Sequence, residues 1–151
     1  MKISIGSDHR GVALKQEVIK SLEEDGFYAI DTKTPNNELD DYPDFAFEVG
    51  ENVVNNPDAL GILICGNGIG ISIAANKVKG IRCARVLNED DAFKSKNHNG
   101  ANVIALRAEE SLSKAMEIIN VFISTKPASE ERHLKRVNKI IKYEQGEYNE
   151  L

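Results

Sequence analysis

Gly61-Ile62-Leu63-Ile64-Cys65-Gly66-Asn67-Gly68-Ile69-Gly70-Ile71-Ser72 is the stretch from which the fold is read. Its first half is a short apolar run rich in Ile and Leu, the pattern of a strand buried on both faces of a parallel sheet. Cys65 falls where that strand should end. Three glycines follow at alternate positions, and Ile71-Ser72-Ile73-Ala74-Ala75-Asn76-Lys77 reads as the start of a helix. A thiol placed between a strand end and a helix N-terminus has a physical use. Backbone N–H groups and the helix dipole favour negative charge there, that of a thiolate included.

Outward from this centre the chain alternates strand and helix. Lys2–Gly6 alternates apolar and polar residues and predicts strand one. Ser7–Gly11 is a polar turn, Val12–Leu22 has helical spacing, and Asp25-Gly26 stops that helix. Phe27–Asp31 is strand two. A polar loop from Thr32 to Asp41 leads to Tyr42-Pro43 and a helix over Asp44 to about Val54, with proline near its first turn. After the glycine loop come strand four over Ile81–Val86, a helix over Glu89–Lys96 and an exit turn Asn97–Gly100. Strand five over Asn102–Leu106, a helix over Glu109–Ser124 and a last helix from Glu130 to about Glu144 complete the order. The alternation predicts an α/β domain, a parallel sheet covered on both faces. Residues 1–151 read as one domain, without repeat, linker or low-complexity segment.

The 151 residues suffice for a real core, and 41% hydrophobic with 28% charged residues describe a globular chain. A net charge of -5 without an early basic patch argues against nucleic acid as partner. No apolar run approaches the roughly 20 residues that span a bilayer. The two cysteines, with no signal peptide, fit a reducing cytoplasm. Cys65 and Cys83 form no CxxC pair, and the three histidines lack metal-site spacing. Cys83, inside Ile81-Arg82-Cys83-Ala84, reads as a small buried hydrophobe.

Ligands of open parallel sheets bind beyond the carboxyl ends of the strands. Asp8-His9 after strand one and Cys65 after strand three therefore share one end. Taken singly, Asp8 is a helix cap and His9 a solvated loop imidazole; their joint position beside the glycine loop favours function. His98 precedes strand five and so lies at the opposite end. It is either a structural turn histidine or a contributor to a neighbouring subunit's site. Arg132 and Arg136 share one helix face. That face is either solvated or a phosphate clamp, because guanidinium groups match phosphate oxygens. Tyr42 is a hydrophobic staple or a pocket wall with a polar tip. Gly66, Gly68 and Gly70 spell GxGxG, not the GxGxxG of dinucleotide sites, and no acidic residue lies between Gly70 and Glu89 to hold a ribose.

Six segments together resemble the ribose-5-phosphate isomerase B family, whose wider group includes galactose-6-phosphate and allose-6-phosphate isomerases. They are Gly6–Gly11, Asp41-Tyr42-Pro43, Ile64–Lys77, Gly80-Ile81-Arg82, His98-Asn99 with Asn102-Val103, and Arg132-His133 with Arg136-Val137. Their order and separations match from residue 3 to about residue 141. The resemblance implies a three-layer αβα Rossmann-like fold with a five-stranded parallel sheet and a C-terminal helix. It implies a homodimer or homotetramer with sites shared between subunits, and no metal or organic cofactor. It assigns Cys65 as the base moving a proton between C1 and C2 of the open-chain sugar, and His98 of the partner as the ring opener. His9, Arg132 and Arg136 would hold phosphate; Asp8, Tyr42 and Asn99 would hold hydroxyls. The amides of Gly66, Gly68, Ile69 and Gly70 would stabilise an enediolate oxygen. Within the resembled family, cysteine at this position with no acid over Ile69–Ile73 is typical of a ribose-5-phosphate branch, so the resemblance implies ribose 5-phosphate ahead of six-carbon phosphosugars. Two positions depart from the family pattern. Asn67 stands where Thr or Ser is usual, so it orients oxygens more readily than it relays a proton. Glu109 stands where an arginine often reaches the partner's phosphate, and Arg107 is the nearest substitute.

Overall fold

The computed structural model describes residues 1–149. Five strands form one sheet: β1 (Lys2–Ser7), β2 (Tyr28–Asp31), β3 (Leu60–Cys65), β4 (Cys83–Arg85) and β5 (Val103–Arg107). All are parallel, in the order β2-β1-β3-β5-β4. Every residue of β3 is buried, as its unbroken apolar run requires of a central strand.

Six α-helices complete the chain: α1 (Val12–Glu24), α2 (Tyr42–Asn55), α3 (Ile69–Ala75), α4 (Glu89–Asn97), α5 (Leu112–Ser124) and α6 (Glu131–Glu144). A core under one face joins Leu14, Val18 and Leu22 of α1 and Ala115, Ile118, Ile119 and Phe122 of α5 to the sheet. The core on the other face joins Ala46, Val49 and Val53 of α2 to Ile71, Ala74 and Ala75 of α3. The helices after β1 and β3 thus leave to opposite faces although those strands are neighbours. A crevice opens at their carboxyl ends, as open α/β sheets require at such a reversal.

The strand ends are tied across that crevice. Asp8 N–H donates to the Ile64 carbonyl at 3.1 Å, and Ala108 N–H to the Cys65 carbonyl at 2.8 Å. Most boundaries shift by a residue or two from the sequence reading, and three of the shifts have a local cause or bear on the site. Strand four is Cys83–Arg85 rather than Ile81–Val86, because Arg82 N–H is taken by the Asn102 side chain at 2.9 Å and Ile81 N–H by a turn carbonyl, Val78. Helix α3 starts at Ile69, two residues early. Helix α5 starts at Leu112 rather than Glu109, because Ser111 Oγ caps it by accepting from Lys114 N–H.

Helix α6 is packed least. His133 and Val137 are its buried residues, while Leu134, Ile140 and Tyr143 are exposed. It lies along the amino end of the sheet. There Glu144 accepts from Gly80 N–H at 2.9 Å and His133 stacks on His98.

Candidate active site

The carboxyl ends of β1, β3 and β5 open on a cavity of about 630 Å³. Asp8, Tyr42, Cys65, Gly66, Asn67 and Gly70 line it, joined by Arg10, Arg85, Arg107 and Glu109.

Cys65 ends β3 and is 5% exposed. Its Sγ accepts a hydrogen bond from Gly68 N–H at 3.2 Å. Such a bond strengthens when the sulfur carries negative charge. Gly68 makes it from the left-handed region, at φ +77°, which costs other residues strain. Asn67 folds back beside it, its Oδ1 accepting from Ile69 N–H at 2.9 Å. Gly70 is required for a different reason. A Cβ there would come within 2.7 Å of the Tyr42 ring, so the glycine lets that ring lie against the loop.

Asp8 fulfils the cap reading and lines the cavity as well. Its Oδ1 accepts from Arg10 N–H at 3.0 Å and Gly11 N–H at 3.1 Å, holding a single 3₁₀ turn over His9–Gly11. His9 is exposed on that turn and is not among the lining residues. Arg107 pairs with Glu109 at 3.2 Å and with Glu110 through Nη2, and the bond to Glu110 pushes its proton affinity up. It therefore faces the cavity with two carboxylates on it.

His98, Asn99, Arg132 and Arg136 are not in this cavity. Roughly 13 Å of strand separates Val103 from Arg107, and His98 lies before Val103, on the amino side. There it forms a second cluster. Its ring stacks on His133 at 4.3 Å and meets Phe93 edge-on at 6.1 Å. Arg132 and Arg136 are exposed on the helix that carries His133. His133 is buried with Nε2 unpartnered among the described residues, 3.8 Å from the Glu130 carboxylate. Burial, then the neighbouring His98 and Arg132, pushes its proton affinity down.

The sequence reading did not single out Arg10 or Arg85. Arg10 follows His9 in the turn and carries its guanidinium over Gly66, 3.1 Å from where a Cβ would stand. Arg85 ends the edge strand β4. Arg85 has no local motif, and only the strand order brings it to Cys65; Arg10 lies in the Gly6–Gly11 segment beside Asp8-His9. Cys83 is partly buried, and burial pushes its thiol up to about 12. It packs against the core and takes no part in the cavity. Among the described residues no group of three or more His, Cys, Asp or Glu side chains converges. None of their helices is long and apolar enough to cross a membrane.

Residues 3–140 match the family described as Ribose/Galactose Isomerase. A probable ribose-5-phosphate isomerase B of Mycoplasma pneumoniae is 43% identical over 144 residues, covering 94% of each chain. The ribose-5-phosphate isomerase B of Mycolicibacterium paratuberculosis is 36% identical over 95% of this chain and 92% of its own. Among solved structures, Clostridium thermocellum ribose-5-phosphate isomerase B superposes with a TM-score of 0.90 at 44% identity, over 97% of this chain and 99% of that one. The Mycoplasma genitalium enzyme with bound ribulose-5-phosphate superposes with a TM-score of 0.89 at 40% identity, over 95% and 96% of the two chains.

Proposed function

The chain belongs to the ribose/galactose isomerase family, and from that premise we propose that it interconverts D-ribose 5-phosphate and D-ribulose 5-phosphate through an enediolate. The observation that carries the reading is Cys65 Sγ at the mouth of β3, held by Gly68 N–H at 3.2 Å and facing a polar cavity. An aldose becomes a ketose when one proton leaves C2 and one returns to C1, while the hydroxyl proton moves between their oxygens. A thiolate is a competent base for this transfer. The charge that develops falls on oxygen, where N–H donors of the glycine loop lower the barrier; Gly68 N–H is given to Cys65 Sγ and Ile69 N–H to Asn67 Oδ1, so this role falls to the amides of Gly66 and Gly70. Asn67 orients an oxygen beside the reacting carbons. Asp8 and Tyr42 hold hydroxyls from the walls.

Ring opening and phosphate binding are assigned to the amino-end cluster of a second subunit. His98, Asn99, Arg132 and Arg136 sit together there, and His98–His133 stacking makes them one unit. In a homodimer, that unit of one chain would close the Cys65 cavity of the other. His9, exposed beside the cavity rim, would meet the phosphate with the two arginines. Remote phosphate binding then positions the sugar for proton transfer.

The test is isomerisation of ribose 5-phosphate by the parent and by Cys65→Ala. The parent should turn over, and the variant should lose about 10²- to 10⁴-fold in kcat, as loss of a general base does, while still binding phosphosugar. A parent inactive on ribose 5-phosphate but active on allose 6-phosphate or galactose 6-phosphate would retain the mechanism and replace the substrate. Binding without turnover of any of them would make the chain a phosphosugar-binding module.

A further inference from the structure

Arg85 Nε donates to the Asn67 carbonyl at 2.7 Å. That carbonyl and Gly68 N–H belong to one planar peptide unit. The N–H of the same unit points at Cys65 Sγ, 3.2 Å away. The guanidinium therefore grips one end of a rigid plate whose other end holds the thiol. The structure assigns Arg85 as a positioning residue for Cys65, acting through the Asn67–Gly68 peptide; this rests on the isomerase reading above.

Three features support the assignment. First, the plate needs a clamp, because glycines on both sides of Asn67 leave the loop more backbone freedom than any other pair would. Second, the clamp comes from outside the loop. Arg85 ends edge strand β4, which pairs with β5 and not with β3, so its side chain crosses β5 to reach Asn67. On the way it packs against Gly68, its Cγ lying 3.4 Å from where a Cβ would stand. Third, among the described residues no carboxylate forms an ion pair with Arg85. Its charge is thus not cancelled by a side chain. A cation on the carbonyl oxygen polarises the peptide and makes its N–H a stronger donor. Positive charge beside the cavity also favours an anion there. The arginine so has two effects, fixing the amide and strengthening its bond to the sulfur in the thiolate form that acts as base.

The experiment combines kinetics with amide exchange in the full chain. Arg85→Ala should lower kcat by about 10- to 100-fold, the scale of a catalytic group displaced by an ångström, with KM changed less than about threefold. Added guanidinium ion should restore part of the loss. Hydrogen exchange at Gly68 N–H should quicken by at least about tenfold, as for a locally loosened segment, while exchange in β3 is unchanged. A kcat within about twofold of the parent, or unaltered exchange at Gly68, overturns the assignment. So does loss of folding in both Arg85→Ala and Arg85→Gln, since the arginine would then be structural. If the parent itself isomerises no phosphosugar, the isomerase reading fails separately, and the Gly68 exchange result still decides whether Arg85 holds the plate.

Discussion

The imidazoles of His98 and His133 stack with centroids 4.3 Å apart and 16° between their planes. Two rings in that arrangement resist carrying charge together. The groups around them reinforce this: Arg132 and Arg136 on α6 disfavour a second positive charge, and only the Glu130 carboxylate favours one. His133 is held neutral below the ordinary imidazole value of about 6.5, first by its burial and then by these neighbouring charges. In the unfolded chain it takes up a proton as pH falls through that value, while in the folded chain it does so later. The unfolded state therefore binds more protons in this window, and stability rises with pH across it. Thermal unfolding should show stability that is full above pH 7 and declines as pH falls below about 6.5. His133→Phe keeps the stacked shape and removes the orphan nitrogen, so it should flatten that decline. An equally steep decline in the variant would assign the acid sensitivity elsewhere.

Gly70→Ala separates site geometry from stability. The new methyl would stand 2.7 Å from Cζ and 2.8 Å from Oη of Tyr42. Tyr42 is 41% exposed, so its ring can swing outward without opening the core. The unfolding midpoint should move little. The site should suffer more, because a ring displaced from the wall misplaces the sugar, and kcat/KM for ribose 5-phosphate should fall by about tenfold or more. Unchanged kinetics would mean that Tyr42 does not touch the sugar.

The sheet was legible because its central strand is apolar throughout and the rest alternates with helical patterns. Cys65 and the glycine loop were legible for the same reason, since local spacing places them at a strand end. Strand order was not, because local pattern does not say that β4 lies outside β5. Arg85 was missed with it, since it looks like an ordinary surface arginine until the topology brings it to Asn67; Arg10, next to Asp8-His9, was passed over although it reaches over Gly66. The His98 stack was missed because it joins residues 35 positions apart, His98 and His133. The separation of His98 from Cys65 was legible, since the residue before a parallel strand lies at its amino end. The resemblance added roles for these residues. The geometry supports an interpretation in which two clusters in one chain serve two sites.

Thiol chemistry should single out Cys65. Burial pushes the Cys83 thiol up to about 12, so it stays protonated at pH 8. Its backbone is also pinned, both its N–H and its carbonyl bonding to the Asn76 side chain at 2.8 Å. Cys65 faces the cavity with an amide donor on its sulfur. Iodoacetamide should inactivate the protein with one label per chain, on the Cys65 peptide, and ribose 5-phosphate should slow it. Cys83→Ala should keep the parent's turnover and its alkylation rate. Label on Cys83 alone, with activity lost, would contradict the role given to Cys65.

A site built from two chains would make a prediction that no single-chain site shares. Cys65 lies at the carboxyl end of β3, while His98, Arg132 and Arg136 lie together at the amino end. If one site takes its halves from two chains, Cys65→Ala and His98→Ala each inactivate both sites of their own homodimer. Mixing them by unfolding and refolding together makes heterodimers as half of all dimers. Each heterodimer has one site with both lesions and one with neither, so activity should return to about a quarter of the parent's in a two-fold dimer. Two single-chain sites would give no recovery, because every chain would carry one lesion. Adding Arg136→Ala to the His98→Ala chain should leave the recovered quarter intact, since both lesions then fall in the same site. Adding it to the Cys65→Ala chain should abolish the recovery. This pairing of outcomes tests whether the histidine and the arginine act from the same partner, as their shared cluster requires.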